Sequence, residues 1–300
     1  LFFKFHNKKP IYKSKNLNLM KRLSIFSIFV SILLLSSCDL LNDAIEEQEN
    51  TIDIAAGLKE ALRVGTDTAT SKLAVVDGYL RDEAVKILLP DELEAQINAL
   101  KAVELNVFGL GTITGDQIYN TGVPFLGINS LAEKEEELIM GINRAAEEAA
   151  KEAGPIFFDA IRGITITDAE NILYGSDTAA TAYLVNNTYQ SLFDTFEPKV
   201  NTAVNSVTIG NRTVEELYSN FVSEYNNILN TSVPIGFLEN QILGSISGIN
   251  TINEADISAF ATGRGLDGLF LKVQEEETNI RKNVNARVNE ILQKVFGLLD

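Results

Sequence analysis

The chain has 300 residues, 45% of them hydrophobic, and sets 41 acidic side chains against 25 basic ones, a formal net charge of −16. That excess repels nucleic-acid phosphates and anionic lipid head groups, which argues against a nucleic-acid partner and against a polybasic membrane clamp. With a single cysteine no disulfide forms within the chain, so stability must come from a packed core, which a chain of this length can supply.

Leu1 to Leu19 contain five lysines, no acid and the only histidine, His6, and a methionine, Met20, follows. Residues 1–19 read as upstream sequence that is not native to the protein. From Met20 the order is that of a secretory signal: basic Lys21 and Arg22, then a thirteen-residue apolar run from Leu23 to Leu35, too short to span a bilayer comfortably. Leu35-Ser36-Ser37-Cys38 then resembles the lipobox of bacterial lipoproteins, in which small residues precede the cysteine that is lipidated and becomes the mature N-terminus. Residues 20–37 are therefore predicted to be a lipoprotein signal peptide, Cys38 the lipidation site, and residues 38–50 a lipidated acidic spacer. Several acyl chains, at about 0.8 kcal/mol per buried methylene, hold a domain at a membrane more firmly than one myristoyl group. Cleavage before Cys38 removes seven of the 25 basic residues and none of the 41 acids, taking the formal charge from −16 to −23. It also leaves a mature chain without histidine or free thiol. That removes Ser-His-Asp and Cys-His nucleophile systems, His/Cys zinc sites and histidine proton shuttling.

Residues 51–300 form the predicted helical domain. Leu58, Leu62, Thr66, Ala69 and Leu73 recur three or four apart and predict an amphipathic helix, weakened by Gly57 and Gly65. Asp77-Gly78 is a turn signal, VKILLP runs extended or as a short helix end into Pro90, and DELEAQINALKAV has the acidic start of a second helix. From Asn106 to Asn129, glycines at 109, 111, 115, 122 and 127 interrupt the helical period and predict a loop or small hairpin. GLGTITG within it lacks the lysine and the strand-to-helix setting of a phosphate loop.

Ser130 to Glu133 has the form of a capping box ahead of a helix with Leu138, Ile142, Ala145, Ala149 and Ala153 on one face, stopped by Gly154. Pro155 suits a first helical position. Thr167 to Glu170 is a second box, Gly175 closes that helix, and Asp177 is placed to cap the next. Tyr189, Leu192, Phe193, Phe196, Val200, Val204 and Val207 hold one helical phase across Pro198, which predicts one long kinked helix. Thr213 to Glu216 is a third box ahead of the stripe Leu217, Phe221, Tyr225 and Ile228. After the softer segment GFLENQILGSISGIN, one C-terminal helix carries Leu266, Leu269, Phe270, Val273 and Ile280. A second carries Val288, Ile291, Leu292, Val295 and Phe296, with Asn283 at the corner between them. No alternation is sustained, so no sheet is required. The predicted fold class is predominantly all-α, a multi-helix, bundle-like single domain with a Gly-rich irregular insertion.

Among the polar residues, Glu277 falls on the extension of an apolar stripe and Arg281 follows by four, the spacing of an ion pair that fixes how the last helices dock. Asn143, Arg144, Glu147 and Glu148 are spaced for contact along a helix surface and read as a solvated face. Asp168 and Asp177 occupy N-cap positions, so capping outranks metal binding for both, and no EF-hand spacing occurs. Asn143, Arg144, Glu147, Asp168, Asp177, Glu277 and Arg281 make up the candidate polar cluster. No catalytic residue, metal ligand or cofactor is assigned.

Several strings together resemble a bacterial family, domain of unknown function 4197, whose members are exported and often lipoproteins. They are GLKEAL (57–62), DGY (77–79), Leu89-Pro90, NRAAEEAAKEAGPIFFDAI (143–161), TITDAENILYG (165–175) and DTAATAY (177–183), followed by LDGLF, EEETNIR, AR and VF between Leu266 and Phe296. Val284 stands where the family pattern has proline, and the glycine-rich connection before Ser130 is longer than usual. The resemblance implies an all-helical domain and an envelope location, and it lends no mechanism.

The expected protein is an exported, lipid-anchored cell-envelope lipoprotein, at the periplasmic face or the cell surface, touching a membrane through Cys38. Its domain binds or scaffolds an envelope protein or a small ligand. The alternatives are a carboxylate- or hydroxyl-dependent envelope enzyme, and a carrier whose phenylalanine-bearing helices enclose an apolar ligand. An enzyme working through Glu277 and Arg281 needs them to line an open cleft, whereas a scaffold buries them.

Overall fold

The stripe Leu58, Leu62, Ala69 and Leu73 forms the buried face of α1 (Ile54–Leu73), and the Asp53 carboxylate opens that helix by accepting from the Ala56 N–H at 2.9 Å. The structure, a computed structural model, describes residues 52–253 and 256–300. The expectations for residues 1–19, the signal peptide 20–37, lipidated Cys38 and the spacer 38–50 lie outside the described residues. Asp53–Asp300 is one compact unit.

After α1 the chain turns at Asp77, whose φ of 71° makes it the one non-glycine with positive φ among the described residues. It then runs without regular structure to Pro90. There follow α2 (Asp91–Lys101), a hairpin of β1 (Glu104–Val107) and β2 (Gly111–Thr114), and short α3 (Gly115–Thr121). Next come α4 (Ala132–Ala150), α5 (Ala153–Gly163), α6 (Ala169–Leu173) and α7 (Ala179–Ser206). A minimal hairpin, β3 (Thr208–Ile209) with β4 (Arg212–Thr213), leads into α8 (Val214–Leu229), and a third, β5 (Ser232–Pro234) with β6 (Asn240–Ile242), leads into α9 (Leu243–Ser247). The chain ends in α10 (Ile257–Lys282) and α11 (Glu290–Phe296). The fold is predominantly all-α, and among the described residues strands occur only as isolated antiparallel pairs.

Helix α10 is the axis: it packs along α1 on one side and α7 on the other, α1 also takes α5 and α11, and α4 lies against α7 and α8. Gly57 and Gly65 make this packing close. A Cβ at Gly57 would sit 2.4 Å from Val295 Cγ2, and one at Gly65 would sit 3.1 Å from Val273 Cγ1. Their helix-weakening effect is offset by backbone approach to α11 and α10.

The hairpin expected in the Gly-rich stretch 106–129 forms, its first strand starting just before it at Glu104, with Gly109 and Gly111 in the left-handed region at its tip; α3 and a 3-10 turn in the same stretch are additions to the expectation. Several other local expectations are corrected. Ser130 does not cap α4: its hydroxyl donates to the carbonyls of Tyr119 and Asn120, and no side chain caps that helix. The break between α4 and α5 falls at Lys151 and Glu152, so Gly154 and Pro155 lie in the first turn of α5, where a missing N–H leaves no bond unmade. Of the three predicted boxes only Thr213–Glu216 forms, with both reciprocal bonds present. Helix α7 runs unbroken through Pro198 for 28 residues. Val288 precedes α11 and is exposed, so the last stripe begins at Ile291.

Candidate functional site

Glu277 is fully buried and Arg281 is 5% exposed, so this pair lines no cleft. The two side chains close a joint between three helices. Glu277 accepts from the Ala180 N–H at 3.0 Å, the Thr181 N–H at 2.7 Å and the Thr181 hydroxyl at 2.7 Å, which caps the first turn of α7 from a distant part of the chain. Arg281 donates from Nε to Glu277 at 2.9 Å and from its two terminal nitrogens to the Leu173 and Ile172 carbonyls at 2.6 and 3.1 Å. The negative side chain thus meets a helix N-terminus and the positive one a helix C-terminus, the arrangement each helix dipole favours. Arg287 extends the joint by donating to the carbonyls of Ile280 and Arg281 and pairing with the Asp300 carboxylate at 2.7 and 2.8 Å. The hydrogen bonds from Arg287, helped by its charge, hold the Asp300 carboxyl below the usual range.

Asn143, Arg144 and Glu147 do not form a solvated face. Asn143 is fully buried and Glu147 is 4% exposed, because the irregular segment after α1 lies over them. The Asn143 side-chain amide accepts from the Ile87 N–H at 2.9 Å and donates to the Ile87 carbonyl at 2.7 Å, as a neighbouring strand would. Glu147 accepts from the Tyr79 and Leu80 N–H groups, both at 3.2 Å, and Arg144 bridges Glu147 and Asp77 at 2.7 Å each. Glu148 alone of that group projects to solvent.

The other two predicted residues cap nothing with their side chains. Asp168 accepts from the Asn171 amide, and Asp177 pairs with Lys282 beside the joint. The structure therefore brings Asp177, Glu277 and Arg281 together, keeps Asn143, Arg144 and Glu147 as a second cluster, and leaves Asp168 with Asn171. Both clusters spend their polar atoms on the fold.

What these anchors position is a surface groove of about 550 Å³ between residues 84–91, α7 and α10. That volume suits a small ligand. Its floor is aromatic: Tyr189 stacks on Phe270 with centroids 6.1 Å apart, and Phe157 supports Phe270 from beneath at 5.2 Å. Its rim is polar. Arg264 lies over the Phe260 ring at 5.6 Å and 3.5 Å from Asp91, and Asp267 and Gln274 stand along α10. Partial burial raises the Tyr189 hydroxyl pKa, and the charge of Asp267 and its hydrogen bond raise it further. Tyr79 holds the groove wall to α10 by donating to the Gly265 carbonyl at 2.7 Å, and burial pushes its phenol well above the usual range. Among the described residues no cluster of metal-ligating side chains occurs.

Sequence reasoning missed Tyr189, Arg264 and Asp267 as parts of one site, and Tyr79 as a buried anchor beside it. The available signal was the run Gly263, Gly265 and Gly268 on an otherwise regular helix. Gly268 is where the Tyr79 ring enters, and a Cβ there would sit 2.7 Å from it.

The model of the family described as "Protein of unknown function (DUF4197)" matches residues 48–109 and 124–297. The chain belongs to the DUF4197 family. Apart from Asp300, both polar joints and the groove lie within the matched DUF4197 regions, while the interruption at 110–123 covers β2 and α3, part of the Gly-rich connection. No curated protein and no solved structure matches the chain.

Proposed function

We propose that this DUF4197 protein is an exported lipoprotein, held at an envelope membrane through Cys38. Its helical domain binds a small molecule with an apolar body and a polar end in the groove beside α7 and α10. The observation that carries the binding reading is the pairing of an aromatic floor, Tyr189 over Phe270, with the polar rim of Arg264, Asp267 and Gln274. Export and anchoring are supported by the order of basic start, apolar run and Leu35-Ser36-Ser37-Cys38.

Native mass spectrometry of the protein purified from a bacterial envelope, followed by organic extraction, tests the groove. A stoichiometric amphipathic molecule is expected, and Val185→Trp, which fills the groove, should lose it without lowering the unfolding temperature. An empty protein would overturn the binding reading. The anchor is read separately, from an acyl mass on the N-terminal Cys38 peptide, and an unmodified cysteine would overturn it.

A further inference from the structure

Two pairs of exposed apolar side chains stand at hairpin tips. Phe108 and Leu110 at the β1–β2 tip are 52% and 51% exposed, and Phe237 and Leu238 at the β5–β6 tip are 82% and 90% exposed. The tips form one surface. The Phe108 N–H donates to the Pro234 carbonyl at 2.9 Å, and the Phe108 and Phe237 rings meet edge to face with centroids 6.4 Å apart. Behind them Val107, Ile113 and Val233 are buried, so the tips stand on packed strands. No charged residue occurs from Asn106 to Gly115, and the β5–β6 tip carries one, Glu239, at the base of its loop beside Asn240, behind Phe237 and Leu238 in the chain.

We propose that these paired tips dip into the apolar boundary of a lipid bilayer, the one to which Cys38 tethers the domain. This rests on the lipid-anchor reading. A bilayer is the occupant that this chemistry fits. Phenylalanine and leucine at the ends of two fingers enter a soft apolar medium without a preformed pocket, and the anchor at Cys38 would hold such a medium next to the domain. The mature chain's formal charge of −23 gives no attraction to anionic lipid, so the contact is apolar and should not weaken in salt. The residues between Cys38 and Asp53 allow the domain to stand up to about 50 Å from the anchor or close against it. Tethering also raises the local lipid concentration so far that a shallow contact suffices.

The chain contains no tryptophan, so Phe237→Trp supplies a sole emitter at the tip, and Tyr174→Trp supplies an exposed control on the turn after α6. Each full-length variant is reconstituted in phosphatidylcholine vesicles with and without lipid brominated on its acyl chains. The expected result is a blue shift and loss of emission for Phe237→Trp, equal at low and high salt, with solvent-like, unquenched emission for Tyr174→Trp. Unquenched emission from Phe237→Trp, on protein whose Cys38 peptide carries its acyl mass, would overturn the proposal. So would a blue shift without quenching, which reports a protein neighbour or a second copy instead. A missing acyl mass overturns the anchor reading alone, and quenching of Phe237→Trp by added vesicles then decides the tips.

Discussion

Glu277 sits where a carboxylate is tolerated only if every acceptor site is used, and here four donors converge on it. Removing it leaves the Arg281 guanidinium buried beside orphaned N–H groups at the start of α7. Glu277→Ala should therefore destabilise the fold by about 3–5 kcal/mol, the range for breaking a buried pair by deleting one partner. Denaturant unfolding followed by circular dichroism reads this directly. A fully stable variant that loses its cellular function would assign Glu277 to a site and sink the structural reading. At this scale the sequence revealed half of the arrangement. The spacing of Glu277 and Arg281 on one helix announces an ion pair. Their targets, Thr181 and Leu173, lie about a hundred positions away and obey no local rule. The same limit explains Asn143 and Glu147. Their polarity reads as solvent-facing until the backbone from Tyr79 to Ile87 is laid over them.

At the level of elements, the apolar stripes were legible because a helix buries one face and the spacing records which. Leu266, Leu269, Phe270, Val273 and Ile280 are all buried as their spacing requires. Caps were less legible. Ser130 and Asp168 are the right residue types, but nearby carbonyls and the Asn171 amide claim their side chains. What spacing alone conceals is where helices admit rings. Gly268 on α10 lines the groove and admits the buried Tyr79 ring, which bonds to Gly265. In Gly268→Ala the methyl gains slightly in helix propensity but forces the ring aside, and overpacking of this kind costs about 1–3 kcal/mol. The expected outcome is a lower unfolding temperature and, in native mass spectrometry, reduced retention of the copurified ligand. An unchanged unfolding temperature would mean that the ring repacks without strain and that the glycine is not needed for this contact.

For the molecule as a whole, net acidity and paired carboxylates pull stability in opposite directions as pH changes. Hydrogen bonds from Arg63 and Lys272 hold the carboxyls of Glu60 and Asp82 below their ordinary values, against the smaller opposing effect of burial. A carboxyl lowered on folding contributes stability that is complete above its unfolded value, near 4, and is lost as pH falls through its folded value. Glu135 behaves oppositely. Burial raises it, so its contribution is present below the unfolded value and is lost as pH rises through the folded one. Self-repulsion adds to that second trend, because a chain of formal charge −16 with a pI near 4.6 sheds its excess charge on acidification. The unfolding midpoint should therefore rise from about pH 7.5 to about pH 5.5 and fall again below about pH 4, once the paired carboxylates protonate. Added salt should raise the midpoint at neutral pH by screening the repulsion and should do little near the pI. A midpoint that falls steadily from neutral pH, or that salt lowers at neutral pH, would show that ion pairing outweighs repulsion across the whole surface and would refute this account.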